Sequence, residues 1–180
     1  QVRAVRCKRT NELFALKKFE VEPLQERSGL NYNKLHLEEV RAHKSIEFHP
    51  NIVQFFQSWK EDRNLYILME LCDNSLAGFW EERIRLEQEE LKRATADTLR
   101  ALQHLHSSNL AHLDIKPANI LRMVNGLFKL ADFSVTLRLD KKNLSSSEFG
   151  TGIYVAPELL QHVFTASADI YSLGLTIAEV

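Results

Sequence analysis

The first 72 residues combine short apolar runs with one charged segment. Three apolar runs of strand length, rich in β-branched or aromatic residues, are residues 13–16, 52–56 and 65–69. Residues 35–46 are charged but place apolar side chains on or near one helical face, and they precede Pro50, which discourages helix. The pattern predicts short strands around a single helix.

After residue 75 the pattern becomes mostly helical. Apolar or small residues recur every three to four positions over residues 91–105, which predicts an amphipathic helix. The runs 120–123 and 127–130 flank an Asn-Gly turn and predict a hairpin. Residues 134–155 are polar and serine-rich, which predicts a long loop, and residues 166–180 predict a mostly apolar helix.

A turn-prone segment, residues 73–75, divides these two patterns. We therefore expect a hinge here between two parts of the chain, residues 1–72 and residues 73–180. The fold class that these patterns predict is α+β, with the strands concentrated in the first part.

Composition narrows the classes of protein that fit. The chain has 180 residues, 44% of them hydrophobic, and a formal charge of −1, which argues against binding nucleic acid or membranes by charge alone. Its longest apolar run, residues 65–69, is far shorter than the ~20 residues of a membrane helix. Two cysteines, Cys7 and Cys72, are too few for a disulfide scaffold and favour a reducing, intracellular environment.

Four short motifs carry the candidate chemistry. Lys17 closes an apolar strand, residues 112–119 read His-Leu-Asp-Ile-Lys-Pro-Ala-Asn, residues 132–134 read Asp-Phe-Ser, and residues 156–158 read Ala-Pro-Glu. Each motif alone would occur by chance, but their order and their strand, loop and hairpin contexts agree. Together they resemble the signature set of the protein kinase family.

The resemblance implies a bilobal protein-kinase-like fold, with residues 1–72 as the small N-terminal lobe and hinge and residues 73–180 as part of the C-terminal lobe. It also implies MgATP as cosubstrate and suggests roles for the catalytic-loop residues. Asp114 would accept the proton of the substrate hydroxyl, and Lys116 would neutralise the γ-phosphate. Asn119 and Asp132 would supply the hard oxygen ligands that Mg²⁺ requires.

The resemblance also implies nucleotide contacts in the first lobe. Lys17 would hold the α- and β-phosphates, with Glu39, 22 residues further on, as its carboxylate partner. Glu38 is the second choice because it points about 100° away on a helix. Lys18 is most simply a solvated edge charge.

By analogy with kinases, the segment after the strand 65–69 is a hinge that binds adenine. Met69 would stand at the back of the cleft, where it also fills the core. The main chains of Glu70 and Cys72 would pair with the adenine ring.

Several other polar residues have simpler structural interpretations. We expect His112 to be packed and hydrogen-bonded, and His104 and His106 to be helix-surface or packing residues. Asp169 is expected to hold the catalytic-loop backbone, as kinases keep an Asp there. Residues 145–147 are three serines that could accept phosphate but are more simply part of a flexible loop.

Within the kinases, four segments resemble the Wee-type family: residues 70–72 with 75–76, residues 97–106, residues 112–120 and residues 172–176. This resemblance implies phosphorylation of adjacent Thr and Tyr residues in a cyclin-dependent kinase–cyclin complex. It also implies a cytoplasmic or nuclear location, or attachment to Golgi or endoplasmic reticulum membranes through segments outside this chain. The alternatives are a generic Ser/Thr kinase and a nucleotide-binding pseudokinase.

The chain departs from the family pattern at several places. It begins where the glycine-rich loop of the family ends, and it ends within the central helix of the large lobe, so we expect a fragment. Ser134 replaces the glycine of Asp-Phe-Gly, and Gly150-Thr151 stands where Wee-type enzymes usually carry Gly-Asp. Leu113 replaces the arginine that binds activation-loop phosphate, which predicts activity independent of that phosphorylation.

Overall fold

The structure is a computed structural model that describes residues 1–20, 32–140 and 150–180. The strands are β1 Val2–Arg6, β2 Leu13–Glu20, β3 Phe55–Glu61, β4 Asn64–Glu70, β5 Asn74–Ser75, β6 Leu110–Ala111, β7 Ile120–Arg122, β8 Phe128–Leu130 and β9 Leu137–Arg138. The helices are α1 Tyr32–Ser45, α2 Leu76–Glu81, α3 Gln88–Ser107 and α4 Ala166–Glu179, with short 3₁₀ turns at Pro117–Asn119, Gly152–Tyr154 and Pro157–Gln161.

The first lobe is an antiparallel sheet in the order β1-β2-β4-β3, with α1 against β3. Alternation along β2 and β4 buries Ala15, Leu65 and Ile67 on the same side of the sheet. The edge strand β1 was not predicted, because its sequence, Val-Arg-Ala-Val-Arg, is short and mostly exposed.

The prediction of a strand over residues 52–56 was displaced from the observed strand, β3. Ile52 and Val53 are buried in the connection before β3, where the Val53 N–H donates to the carbonyl oxygen of Leu130 (2.9 Å). Their apolar character reflects this contact with β8 of the second lobe rather than membership of the first sheet.

The second lobe is built around α3, which buries one face against the sheet β5-β7-β8. The predicted helix and the predicted hairpin are both confirmed, and Gly126 at the hairpin turn adopts a left-handed φ of 83°. The largest fully buried side chains in this core include Leu102, Phe128 and Phe133. The result is a β-rich lobe followed by a mainly helical lobe, which is the bilobal fold expected from the sequence.

Two local features differ from the sequence pattern. Residues 81–93 form a charged run that is most simply interpreted as a solvated helix face, but the run is helical only at its ends, because α2 ends at Glu81 and α3 begins at Gln88. The predicted loop 134–155 contains β9, which pairs with β6, while the three serines at 145–147 lie outside the described residues. No helix among the described residues has the length and apolar character needed to span a membrane.

Candidate active site

A cleft of about 340 Å³ separates the sheet of the first lobe from the hairpin and loops of the second. It is lined from above by β2, from behind by α1, at one edge by the segment after β4 and from below by β7. Of the sequence-predicted site residues, the following line it: Lys17, Glu39, Glu70, Cys72, Asn119 and Asp132. Asp114 accepts a hydrogen bond from Asn119, and Lys116 forms an ion pair with Asp114.

Lys17 connects three segments of the chain inside the cleft. Its Nζ lies 2.7 Å from Glu39 Oε1 on α1 and 3.2 Å from Asp132 Oδ1, which follows β8. Alternation along β2 turns Lys17 to the same face as buried Ala15, and this face is the one that α1 approaches. The pairing with Glu39 is the one expected from the sequence.

Burial and neighbouring charges shift the pKa values of Lys17, Glu39 and Asp132 in opposite directions. Burial alone would lower the pKa of Lys17, but the carboxylates of Glu39 and Asp132 outweigh it and raise that pKa. Burial would raise the pKa of Asp132, but Lys17 and the Ser134 hydroxyl outweigh it and lower that pKa, so Asp132 stays ionised. For Glu39 burial dominates and the pKa is raised.

The catalytic-loop residues form one hydrogen-bonded cluster. Asp114 Oδ2 accepts from Lys116 Nζ at 2.8 Å and from Asn119 Nδ2 at 2.9 Å. Asp114 Oδ1 accepts from the hydroxyl of Thr151 at 2.7 Å, and that hydroxyl also accepts from Lys116 Nζ at 2.7 Å. The carboxylate of Asp114 is therefore held in a fixed orientation at the end of the cleft.

Thr151 is the member of this cluster that sequence reasoning missed. It is 37 positions from Asp114, and in the sequence it stands out only because Wee-type enzymes usually carry Asp at this position. Nothing in the local sequence around Thr151 indicates that the chain returns to the catalytic loop at this residue.

Asp169 fixes the backbone of the catalytic loop. Its fully buried carboxylate accepts from the N–H groups of His112 (2.9 Å) and Leu113 (2.7 Å), which confirms the role expected from the sequence. These bonds hold Leu113 at a φ of 65°, a conformation that costs energy for a residue other than glycine. The prediction of a surface or packing role for His106 was incomplete, because its Nε2 bonds Asp169 Oδ2 at 2.8 Å.

His112 is a packed structural residue, as predicted. Its Nε2 donates to the carbonyl oxygen of Ala131 (3.0 Å), while its Nδ1 accepts from the Asp114 N–H (3.2 Å). Its ring meets Phe133 edge-on at 5.2 Å, and Phe133 in turn packs at 4.7 Å against His43 of α1. The helix that carries Glu39 is thereby packed against the segment that carries Asp132.

The edge of the cleft is formed by the segment that follows β4. The Glu70 carboxylate is paired with buried Lys129 (2.8 Å) and accepts from the Gln54 N–H (3.2 Å). Burial raises the pKa of the Cys72 thiol to about 12, so this side chain is neutral. Met69 lines the back of the cleft.

The chain belongs to the protein kinase domain family, whose pattern matches residues 1–180. Members of this family use ATP as phosphoryl donor and a protein as acceptor. The geometry above, with Lys17, Asn119 and Asp132 lining one cleft and Asp114 bonded to Asn119, agrees with that assignment.

Among its relatives, the chain is similar to Wee-type kinases. It is 38% identical over 180 residues to the membrane-associated tyrosine- and threonine-specific cdc2-inhibitory kinase wee-1.3 of Caenorhabditis elegans, covering 99% of this chain and 26% of that protein. It is 38% identical over 153 residues to the Drosophila melanogaster kinase of the same description (84% and 29%). It is 37% identical over 145 residues to the Wee1-like protein kinase of Arabidopsis thaliana (79% and 28%). The chain thus spans about a quarter of the length of these relatives.

The donor groups in the cleft fit a metal that arrives with a nucleotide. Within the described ranges, no group of three or more His, Cys, Asp or Glu side chains could hold a metal ion alone. Mg²⁺ is usually bound through one or two carboxylates together with substrate phosphates and water. The Asp132 carboxylate and the amide oxygen of Asn119 supply oxygen donors of this kind.

Proposed function

We propose that this protein transfers the γ-phosphoryl group of MgATP to Thr or Tyr hydroxyls of a cyclin-dependent kinase and thereby inhibits it. One observation carries the proposal: Lys17, Asn119 and Asp132 meet in a single cleft, with Asp114 bonded directly to Asn119. Phosphoryl transfer depends on positioning and charge compensation rather than on a covalent nucleophile.

On the nucleotide side, Lys17 binds the α- and β-phosphates and Glu39 keeps its ammonium group in place. The raised pKa of Lys17 keeps it cationic, as this task requires. Asn119 and Asp132 would hold Mg²⁺, which would supply positive charge to offset the charge of the phosphates. Because the Glu70 carboxylate is engaged by Lys129, we assign adenine binding at Glu70, and likewise at Cys72, to the main chain.

On the acceptor side, an Asp114 carboxylate oxygen accepts the proton of the attacking hydroxyl. The hydroxyl oxygen bonds to the γ-phosphorus while the bond between that phosphorus and the β–γ bridging oxygen breaks, which releases ADP. Lys116, 2.8 Å from Asp114, lies where it can also contact the transferred phosphoryl group. The fixed orientation of Asp114 removes part of the entropic cost of bringing the base to the hydroxyl.

The identity of the substrate rests on the relatives. Two of the relatives described above, from Caenorhabditis elegans and Drosophila melanogaster, are named tyrosine- and threonine-specific cdc2-inhibitory kinases. We therefore propose a cyclin-dependent kinase–cyclin complex as partner. The names of these relatives say that they are membrane-associated, and on that basis we propose that this protein is located at an intracellular membrane.

Ser134 favours a second candidate, a pseudokinase that binds nucleotide without transferring phosphate. Its side chain helps to lower the pKa of Asp132, the carboxylate that would bind the metal. Serine also lacks the backbone freedom of the glycine that kinases carry there.

Phosphate transfer separates the two candidates. The full-length protein would be incubated with Mg²⁺, γ-labelled ATP and a cyclin-dependent kinase–cyclin complex whose own catalytic aspartate has been replaced. We expect label on Thr and Tyr of the partner, which phosphoamino-acid analysis identifies. A nucleotide-induced rise in melting temperature without any transfer would instead establish the pseudokinase.

A further inference from the structure

The outer face of the first-lobe sheet, on the side away from the cleft, takes no part in the roles assigned above. Neighbours along a strand point to opposite sides of a sheet, while directly paired residues point to the same side. Ala15 lines the cleft and Ile67 is buried on the same side, so the residues adjacent to them point outward. From this register and the contact between Phe14 and Phe56, the outer face comprises Arg3, Val5, Phe14, Leu16, Lys18, Phe56, Trp59, Tyr66 and Leu68.

The aromatic side chains of the outer face form two pairs. Trp59 stacks on Tyr66 with the ring centroids 5.2 Å apart, and Phe14 meets Phe56 edge-on at 5.3 Å. All four rings remain partly exposed, and Phe56 is 48% exposed. Contiguous exposed apolar surface of this kind marks a site that contacts another molecule or a membrane.

Positive charge is concentrated at one edge of the outer face. Residues 1–20 contain six Lys or Arg residues and only two Glu, although the whole chain has a formal charge of −1. Lys17 belongs to the cleft, and Lys18 lies 3.8 Å from Glu20. Residues 60–63, at the opposite edge, contain two cations and two carboxylates. The cations exposed on β1 and on the turn before β2 are Arg3, Arg6, Lys8 and Arg9, with Glu12 as the carboxylate of the same turn.

Aromatic side chains beside exposed cations suit one occupant, the surface of an anionic membrane. Trp and Tyr rings favour the level of the lipid headgroups, and Lys and Arg are attracted to anionic lipids. The outer face can place both kinds of group in one plane, because its side chains project from adjacent strands about 4.8 Å apart. An apolar protein partner would account for the rings but not for the cations beside them.

Docking by the outer face is compatible with catalysis. Ala15 and Lys17 project from the opposite face of β2 into the cleft. The groups assigned to nucleotide binding therefore stay turned away from a membrane that contacts the outer face.

We propose that the outer face of the first-lobe sheet docks on an anionic membrane surface. Its aromatic rings lie at the level of the lipid headgroups, and Arg3, Lys8 and Arg9 contact the anionic groups of the lipids. The inference rests on the proposed location at an intracellular membrane and names the surface of the kinase domain that meets it.

The first test measures binding of the full-length protein to phosphatidylcholine vesicles with and without phosphatidylserine. We expect tighter binding with phosphatidylserine, weakened by high salt, because salt screens exposed charges. Each basic residue near an anionic surface strengthens binding roughly fivefold, so Lys8→Gln/Arg9→Gln should weaken it roughly 10- to 30-fold. The matched control is Lys92→Gln/Arg93→Gln, which removes the same charge from an exposed position on α3 and should leave binding within about twofold of the parent. Both double variants should phosphorylate a soluble substrate as the parent does.

The second test locates the contact on the outer face. Brominated lipids quench the fluorescence of tryptophans that touch the membrane, wherever else the full-length protein is anchored. Trp59→Phe should remove part of this quenching. Trp80→Phe, which replaces an exposed indole of the second lobe, should not change it.

The docking surface is wrong if the Lys8/Arg9 variant binds phosphatidylserine vesicles as tightly as the parent, or if Trp59 contributes nothing to the quenching. Self-association that Phe56→Ser abolishes, without vesicle binding, would also overturn it in favour of a second copy as the occupant. Any of these results leaves the kinase assignment intact when labelled phosphate is still transferred. A full-length protein that binds neither kind of vesicle overturns the proposed membrane location and the docking surface together.

Discussion

Replacing Asp169 by asparagine tests how the catalytic loop is held. The buried carboxylate accepts three hydrogen bonds, from the N–H groups of His112 and Leu113 and from the ring of His106. Asparagine has the same shape but offers one oxygen and one NH₂ group. Whichever way the amide is turned, at least one buried N–H faces another donor.

The cost follows from those contacts. The better orientation keeps the oxygen towards His112 and His106 and leaves the Leu113 N–H unsatisfied. A buried unsatisfied donor costs about 1–3 kcal/mol, and loss of the charge weakens the other bonds, so we expect a total of about 2–4 kcal/mol. Leu113, held at a φ of 65°, then loses one restraint on a strained conformation.

Two assays measure the outcome. Urea unfolding of the purified protein should show the lower stability, and kcat should fall roughly 10- to 100-fold because Asp114 is displaced. Asp62→Asn is the control: Asp62 is exposed with a φ of 52°, a conformation that asparagine tolerates, so we expect a change within about 0.5 kcal/mol. An Asp169→Asn protein as stable and active as the parent would refute this account of the loop.

Three further predictions concern the base, the activation loop and pH. Asp114→Asn should lower turnover by roughly 10²–10⁴ in a labelled-phosphate assay without abolishing nucleotide binding; unchanged turnover would remove Asp114 from the role of base. Leu113 is 2% exposed, packs among apolar side chains and offers no cation to a phosphate. Phosphatase treatment should therefore leave kinase activity intact, and a loss of activity after the treatment would contradict this reasoning. Burial lowers the pKa of His43 below the usual 6.5, although Asp132 opposes that shift and Lys17 and His112 support it. As pH falls, His43 therefore becomes protonated in the unfolded chain at a higher pH than in the folded protein, and the stability of the fold should decrease as pH drops below 6.5. His43→Gln should flatten that slope in urea titrations at several pH values; an unchanged slope would show that other groups cause it.

The sequence determined the chemistry of the site. Lys17, Asp114, Asn119 and Asp132 could be predicted because each belongs to a short motif whose spacing is local. The helix α3 and the hairpin β7–β8 could be predicted for a similar reason, since their periodicity and turn residues act within a few positions.

Contacts between distant segments could not be predicted in the same way. The apolar pair Ile52 and Val53 reads as part of a strand, yet it packs against β8, because hydrophobicity records burial and not the identity of the partner. Lys129 and Glu70 likewise form their pair only after the two lobes meet.

Only the tertiary structure decided that Thr151 returns to Asp114 and that Trp80 and Glu179 line one cavity beside the catalytic loop. These residues are separated by 37 positions or more, and no local pattern encodes such a contact. Local sequence sets which groups are available and which backbone conformations they adopt. The packing of helices and sheet then selects which of those groups come within bonding distance.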